Sequence, residues 1–367
     1  MKVTAIEDSG IRIVGFDLAR AYAIFGMFIV NYNFAFGSLM APTNTLEKFL
    51  NVFTGNSTAI FIICAGIGLS MMTSNLSLQQ HDKKSLTKKV LRRSWFLFGL
   101  GLLLYPWWPG DILHFYGGYM HIATFILFVD KKFLLPAASF TILIYHLLLL
   151  IIPVGTGWNF TNYDYVDFWT PIGFLRNTLF NGWNSIFPWF AYFLLGMWLG
   201  KLDWRSAKVR RYVFSIGLFL FVAIEFLRYM AQAGHFSPSA TEYIRAEYFP
   251  PYLPFMLVTI GFALMVITAC VWLGDRFEKN FLITALKKTG QMTLTHYVLH
   301  LTVGMAIIAF VTGKTYTGLI EDESPTSAKD ILLFSVISFL TCVVFSWLWS
   351  RKFSKGPVEI LMRKISD

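Results

Sequence analysis

Apolar runs long enough to cross a bilayer recur along the whole chain, and this repetition constrains the fold more than any other feature. A membrane-spanning helix needs about 20 consecutive apolar residues. Ten such runs cover residues 13–36, 51–74, 90–106, 111–129, 133–153, 186–201, 211–231, 252–273, 290–312 and 329–350. Because lipid offers no partner to an unpaired backbone amide, runs of this length predict helices. We therefore expect an all-α fold: a polytopic membrane helical bundle of about ten transmembrane helices, with residues 1–367 forming a single integral membrane domain.

The basic residues lie mostly between the apolar runs. Only 14% of the residues are charged, and the net charge is +10. If the N-terminus is cytoplasmic, 24 of the 31 Lys and Arg residues fall on the cytoplasmic side, as the positive-inside rule requires. We therefore expect both the N- and C-termini to be cytoplasmic. This orientation in the lipid bilayer explains the positive charge, so no nucleic acid partner is expected.

The first apolar run carries polar side chains on one helical face. Asp17 and Arg20 are close enough in sequence to contact each other across one helical turn. Asn31 returns to nearly the same face as Arg20, about 16 Å further along the helix. Charged residues inside a membrane are costly and usually functional, so we interpret these residues as one wall of a polar cavity. The alternative is an ion pair at the cytoplasmic end and an Asn at the opposite interface.

The fourth run opens with an aspartate and two histidines on one face. Asp111 and His114 are one turn apart, and His121 lies two turns beyond His114. A carboxylate that orients an imidazole prepares it as a general base. We expect Asp111 at the outer boundary, His114 one turn inside and His121 about 15 Å deep. The alternative is an aspartate that caps the helix and histidines bonded to neighbouring helices.

The ninth run contains His296 and His300, which share a helical face. His300 is expected about 15 Å from the cytoplasmic end, so it could meet His121 near the midplane. A proton-handling site, core histidines with hydrogen-bond partners, and haem or metal binding all remain open. Neither an HExxH glutamate nor a third ligand lies nearby, so no metal is predicted.

Residues 154–185 are expected to form a long extracytoplasmic loop rich in aromatic and amide side chains. Trp158 and Trp183 are its candidates for substrate contact, because an aromatic face can stack on a sugar ring. The alternative is that these rings anchor the neighbouring helices at the membrane interface.

Four stretches of the sequence resemble the landmarks of one family. They are Arg20 followed by Asn31, then WWPGDILHFYGGYMH, GQMTLTHYVLH and KGPVEILMRKIS. In this order they resemble the YeiB-like membrane proteins, which are predicted acyltransferases related to heparan-alpha-glucosaminide N-acetyltransferase within a transmembrane acyltransferase superfamily. The likeness extends from the first apolar run to the last, and the second and fourth stretches are its most specific parts.

The resemblance implies a membrane-bound acyltransferase. Such a protein takes an acyl group, here expected to be acetyl, from cytoplasmic acyl-CoA (acetyl-CoA) and passes it to an extracytoplasmic or membrane-embedded acceptor such as a glycan or small molecule. We expect a multi-pass protein of the plasma membrane, the bacterial inner membrane, with a homodimer as one arrangement. The candidate catalytic residues are His121, His300, His296, Asp111 and His114. The candidate substrate-binding residues are Arg20, Asn31, Asp17, Trp158 and Trp183.

The chain departs from the family pattern at several histidines. Members often carry a histidine eight residues before the GDIL aspartate, where this chain has Leu103. The heparan branch has a catalytic histidine in the loop after the first span, and residues 37–55 contain none. Conversely, His296 and His300 occupy positions that the family usually fills with Asn and Gln. The catalytic base has therefore moved or been lost relative to the family pattern.

A transporter or proton-coupled exporter is the main alternative to an enzyme. Intramembrane His and Asp side chains also build proton relays. Against this alternative, the sequence contains no inverted pair of helices broken by Gly or Pro. It also contains no P-loop, GxSxG elbow or GxGxxG after a strand, so soluble nucleotide chemistry is not indicated.

Overall fold

About 75% of the protein is helical. The computed structural model describes residues 12–38, 42–74, 80–161, 163–245, 247–314 and 325–367. The predicted all-α membrane bundle is confirmed. Residues 1–11, at the N-terminus predicted to be cytoplasmic, lie outside the described part of the chain.

The helices follow the predicted apolar runs. The long ones are α1 (Val14–Phe36), α3 (Asn56–Ser74), α4 (Gln80–Leu104), α6 (Leu134–Ile151), α9 (Ala207–Gln232), α11 (Leu253–Arg276) and α15 (Ala328–Trp349). The shorter ones are α2 (Thr45–Asn51), α5 (Leu113–Phe125), α7 (Pro171–Arg176), α8 (Ile186–Leu199), α10 (Pro238–Ile244), α12 (Phe281–Gly290), α13 (Thr293–Leu299), α14 (Met305–Thr312) and α16 (Pro357–Ser366). Short 3₁₀ and π turns occupy Lys131–Phe133, Asn177–Asn181 and His300–Gly304, and β1 (Trp158–Asn159) pairs antiparallel with β2 (Asp164–Tyr165).

Seven helical segments of the described chain are long and apolar enough to cross a membrane. They contain α1, α3, α6, α9, α11, α15 and the pair α13–α14. The three other predicted spans correspond to α4, α5 and α8. Helices α5 and α8 have 13 and 14 residues, or about 20 Å of helix, and the first half of α4 is highly charged. The membrane bundle is therefore established, whereas the number ten remains a prediction.

Helices α1 and α3 form the centre of the bundle. In the most apolar part of each, 72% of the residues are buried, against 17% in α9 and 22% in α6 and α15. The outward residues of these peripheral helices are large and apolar, which suits contact with lipid tails. The polar residues of α1 therefore face protein rather than lipid.

Glycines bring the central helices into close contact. Gly66 of α3 meets Gly196 of α8, and Gly217 of α9 meets Gly261 of α11. In each case a Cβ would collide with the backbone of the neighbouring helix. Small residues at helix crossings are the usual way to pack membrane helices, where burial of apolar surface gains little over lipid.

Several helix ends gather at one end of the bundle. Gly290, the last residue of α12, packs against the backbone of Asp17 in the first turn of α1. Helix α16 returns to the same end, where Asp367 accepts hydrogen bonds from Arg93 of α4 (2.9 and 3.2 Å) and pairs with Lys89 (2.8 Å). This is the end that the positive-inside rule predicts to be cytoplasmic.

Candidate active site

A buried carboxylate organises the first turn of α1. Asp17 is 1% exposed and accepts hydrogen bonds from Arg12 (2.7 and 2.9 Å), Arg20 (3.1 Å) and Gln291 (3.3 Å). Arg20 also donates to the carbonyl oxygen of Cys64 on α3 (3.1 Å). We call Arg12, Asp17, Arg20 and Gln291 the Asp17 cluster. The predicted contact between Asp17 and Arg20 is present, and the cluster joins α1 to α3 and to the C-terminal end of α12.

A cavity of about 170 Å³ lies further along α1, and Asn31 forms part of its wall. We call it the Asn31 cavity. Its wall consists of Met27, Val30, Asn31, Phe34, Thr54, Ser57, Thr58, Trp108, Gly110, Ile112, Trp183, Asn184, Tyr248 and Tyr297. Between this cavity and the Asp17 cluster, helix α1 touches helix α3, because Gly26 of α1 packs against Ser57 of α3. The polar groups of α1 therefore occupy two separate sites about 16 Å apart.

The loop of residues 154–185 covers the Asn31 cavity. Its hairpin is held by Arg176, which donates to the Asp167 carboxylate (2.6 and 2.7 Å) and to the Tyr165 hydroxyl (2.7 Å). Trp183 reaches the cavity wall, whereas Trp158 packs behind it with ring centroids 5.0 Å apart. Of the two predicted tryptophans, one lines the cavity and the other supports it.

Two further polar residues, Asn184 and Tyr248, lie beside Trp183 in the cavity wall. Asn184 donates to the hydroxyl of Tyr248 (2.8 Å), and the hydroxyl of Tyr119 donates to the Asn184 carbonyl. Tyr248 comes from the segment between α10 and α11. Burial raises the pKa of Tyr248 to about 12, so its hydroxyl stays neutral at physiological pH. Nothing in the sequence around Tyr248 indicates that it reaches this cavity.

His300 lies directly behind Asn31. The Asn31 amide donates to His300 Nε2 (2.9 Å), and His300 Nδ1 donates to the carbonyl oxygen of His296 (3.2 Å). These two contacts define the Nδ1-protonated tautomer of a neutral ring. The imidazole stacks on Phe28, with centroids 4.7 Å apart. The Nε2 lone pair of His300 is thus directed toward the cavity wall.

Tyr297 connects the cavity wall to the Asp111–His114 pair. Its hydroxyl donates to Asp111 Oδ1 (3.0 Å) and accepts from the amide of Ile112 (3.0 Å). Asp111 Oδ2 accepts from the amides of Leu113 (2.8 Å) and His114 (3.2 Å) and faces His114 Nδ1 at 3.4 Å. The predicted Asp111–His114 contact is therefore present, and Asp111 also caps the start of α5. Tyr297 follows His296 directly in the GQMTLTHYVLH stretch, so its place in this family motif could have marked it as a candidate site residue.

Helix α13, which carries Tyr297 and His300, is capped by a buried glutamate. Glu359 of α16 accepts from the amides of Leu294 (2.9 Å) and Thr295 (3.2 Å) and from the Thr295 hydroxyl (2.5 Å). A carboxylate at a helix N-terminus satisfies unpaired amides and favours the helix dipole. Burial raises the pKa of Glu359 despite these hydrogen bonds. The KGPVE stretch thus fixes the helix that holds the candidate site.

The structure places the two other candidate histidines away from the Asn31 cavity. His121 donates from Nδ1 to the Gly117 carbonyl (2.8 Å) and its ring lies against Trp95 of α4, with centroids 4.3 Å apart. It therefore contacts α4 and not His300, contrary to the expected meeting at the midplane. His296 turns the other way, toward the hydroxyl of Ser346 on α15 (2.7 Å).

The i, i+4 histidines do not form a common ligand set. His296 and His300 contact different helices, α15 and α1. Within the described residues, no group of three or more His, Cys, Asp or Glu side chains is arranged to hold a metal ion. Leu103, where the family often has a histidine, is 76% exposed and faces away from the protein interior. A histidine at that position would not reach the Asn31 cavity.

Family comparisons divide the chain into two overlapping parts. Residues 12–226 match the catalytic model of heparan-alpha-glucosaminide N-acetyltransferase, and residues 197–367 match a model described as a protein of unknown function (DUF418). No curated protein matches the chain. The bundle and the first match together define a membrane acetyltransferase-like protein. The chain belongs to the heparan-alpha-glucosaminide N-acetyltransferase catalytic family, and the two matches together support its YeiB-like relationship.

Proposed function

We propose that this protein transfers an acetyl group from cytoplasmic acetyl-CoA to an acceptor that enters the Asn31 cavity from the extracytoplasmic side. The observation that carries the proposal is the hydrogen bond between Asn31, in the cavity wall, and the Nε2 atom of His300 behind it. This arrangement sets a neutral imidazole next to a cavity that an acceptor can enter. The membership of the acetyltransferase family supports the same reaction class.

Arg20 is the proposed contact for the donor. It is 24% exposed, so a ligand can reach its guanidinium group although Asp17 already pairs with it. Arginine binds phosphate through a planar pair of N–H donors. The pantetheine arm of CoA is long enough to cover the roughly 16 Å between Arg20 and Asn31 along α1. The contact between Gly26 and Ser57 must loosen for the arm to pass.

His300 is the proposed general base. When the acceptor takes the place of the Asn31 amide at Nε2, its hydroxyl or amine proton moves to His300 as the acceptor atom attacks the thioester carbon. The bond to the acceptor forms, the carbon–sulfur bond breaks, and the proton passes to the CoA thiolate. The Nδ1 donation to the His296 carbonyl favours the transient imidazolium ion.

The Asp111–His114 pair is proposed to orient the acceptor through Tyr297. The Tyr297 hydroxyl is fixed by both Asp111 and the Ile112 amide, so it presents a constant geometry to the cavity. A fixed polar group of this kind contributes to catalysis by positioning the reactants. His121, His296 and Trp158 are not assigned a direct role, because the structure connects them to other helices or to the back of Trp183.

The proposal is tested by CoA release from acetyl-CoA with purified protein and a sugar panel of glucosamine, N-acetylglucosamine and methyl β-D-glucopyranoside. His300→Ala should lower kcat by about 100-fold or more, because it removes the general base. Arg20→Ala should mainly raise the KM for acetyl-CoA. His146→Ala is the matched control, since His146 bonds to Ile142 and Tyr243 on the side of α6.

Equal activity of all four proteins would remove the roles proposed for His300 and Arg20. Uptake of a labelled sugar into sealed vesicles without acetyl-CoA would instead favour a transporter. Protection of the α1–α3 region from proteolysis by acetyl-CoA, reduced in Arg20→Ala, would locate donor binding independently of turnover.

A further inference from the structure

We infer that the acceptor group that enters the Asn31 cavity is electrically neutral, as in the hydroxyl of an uncharged sugar ring, and not the ammonium group of an amino sugar. The inference rests on the proposed function and names the substrate class of the same site. The name of the matched family describes acetylation of a glucosaminide nitrogen, and the inference adds that any such acceptor must enter this cavity in its uncharged form.

The cavity wall offers hydrogen bonds without charge. Its polar side chains are the amides of Asn31 and Asn184 and the hydroxyls of Tyr248, Tyr297, Thr54, Ser57 and Thr58. Among the residues that the structure describes, no Asp, Glu, Lys, Arg or His side chain lines it. Moving an ammonium group from water into such a site costs several kcal/mol unless an anion compensates it. A neutral hydroxyl meets amide and hydroxyl partners at little cost.

The nearest acidic side chain does not supply the missing anion. Asp111 lies behind Tyr297 and is 0% exposed. One of its oxygens accepts from the Tyr297 hydroxyl, and the other accepts from the backbone amides of Leu113 and His114. These donors already compensate its charge, and Asp111 itself does not line the cavity. An ammonium group in the cavity could not bind this carboxylate directly.

The aromatic residues of the wall are engaged with one another. Phe34 makes edge-to-face contacts with both Trp108 (5.8 Å) and Trp183 (5.4 Å). A cage for a cation needs several ring faces directed at one point. Here the edge-to-face pairs form a wall, and such a wall can stack against the apolar face of a sugar ring.

The size of the cavity agrees with a single sugar ring. An apolar cavity of about 150 Å³ holds one benzene molecule, and the Asn31 cavity has about 170 Å³. The Asn31 cavity is thus the size of one small ring, so it can admit the part of a sugar ring that carries the reacting hydroxyl, while the remainder of the glycan stays outside.

The inference is tested by sugar binding to the full-length protein without acetyl-CoA, measured from pH 6 to pH 9. Methyl β-D-glucopyranoside should bind equally across this range. Glucosamine should bind at least tenfold more weakly at pH 6 than at pH 9, because only its uncharged amine can enter the cavity. Stronger or equal binding of glucosamine at pH 6, or no binding of the glucoside at any pH, would overturn the inference.

A charge introduced into the wall provides a second test. Asn184→Asp adds a carboxylate while keeping the shape of the side chain and a partner for the Tyr248 hydroxyl. It should strengthen glucosamine binding at pH 6 about tenfold and leave the glucoside no better bound. The matched control Asn159→Asp adds the same charge to an exposed position of the covering loop and should change neither affinity.

The two proposals can fail separately. Glucoside binding with the expected pH behaviour, but no acetyl transfer to any sugar of the panel, would reject the proposed function and leave a neutral sugar-binding site. Acetyl transfer to glucosamine with tighter binding at low pH would support the enzyme and reject the neutral acceptor.

Discussion

The Asp17 cluster and the Asn31 cavity lie on the same helix and treat charge in opposite ways. In the Asp17 cluster a buried carboxylate is held by two guanidinium groups and an amide. The wall of the Asn31 cavity, as far as the structure describes it, offers only amides, hydroxyls and rings. A charged group is therefore accommodated at one site and disfavoured at the other.

The difference reflects depth in the bundle. Charged side chains are tolerated near the ends of membrane helices, where water and headgroups are within reach, and become costly further in. The Asp17 cluster begins in the first turn of α1, whereas Asn31 is separated from it by about 16 Å of helix. Under the proposed function, the charged donor would bind at the Asp17 cluster, near the helix end, and the neutral acceptor would bind deeper, in the Asn31 cavity.

The largest effect should come from removing the carboxylate of the Asp17 cluster. Asp17→Ala removes the buried carboxylate that Arg12 and Arg20 share, and because these two side chains are 44% and 24% exposed, we expect a loss of about 2 kcal/mol in the free energy of unfolding. Thermal unfolding in detergent measures this loss. Asp203→Ala, an exposed aspartate beyond α8, is the control and should have little effect. Similar melting temperatures for the two variants would show that the cluster is not a stabilising centre.

A smaller effect is expected at the wall of the Asn31 cavity. Tyr297→Phe removes the hydroxyl between Asp111 and the Ile112 amide, which leaves buried polar atoms unsatisfied and should cost about 1–2 kcal/mol. Tyr145→Phe is the matched control, because the Tyr145 hydroxyl is buried without a hydrogen-bond partner in the described structure. If both variants unfold at the same temperature, the hydrogen bonds of the Tyr297 hydroxyl do not stabilise the fold.

The cap on α13 should give an effect of about 1 kcal/mol. Glu359→Gln weakens the contacts with Thr295 at the start of this helix. Burial raises the pKa of Glu359 above its ordinary value. The contribution of Glu359 to the free energy of unfolding is therefore complete at low pH and declines as the pH rises through the raised pKa. The difference in melting temperature between wild type and Glu359→Gln should therefore shrink from pH 4.5 toward neutral pH, whereas exposed Glu278→Gln should show no such trend.

The smallest effect is expected at Asp367. Partial burial acts to raise its pKa, but hydrogen bonds from Lys89, Ser366 and Arg93 outweigh it and lower the pKa to about 2. Because the pKa is lowered, the contacts of Asp367 with Lys89 and Arg93 stabilise the fold at pH values above the ordinary pKa of an aspartate. This contribution is lost as the pH falls toward 2. Asp367→Asn should cost about 0.5 kcal/mol at neutral pH, because the site is partly exposed and screened. A cost that persists unchanged in high salt would argue against an ionic origin.

Contacts within one helix could be predicted from the sequence. The Asp17–Arg20 and Asp111–His114 contacts each join residues three apart in the sequence, the first pair within α1 and the second at the start of α5, and both are present. Contacts between helices could not be predicted in the same way. His121 was expected to meet His300, yet His121 faces Trp95 and His300 faces Asn31. Position along a helix can be counted, whereas the rotation of that helix against its neighbours depends on packing.

The amino-acid sequence by itself determined the membrane bundle, the polar face of α1 and the local acid–histidine pair, because helical period and apolar length are local properties. Only the tertiary structure decided that α1 carries two separate sites, that Trp183 and Tyr248 complete the Asn31 cavity, and that Glu359 caps the helix of His300. Close glycine crossings fix the rotation and height of each helix, so which polar residues meet depends on the packing of the whole bundle.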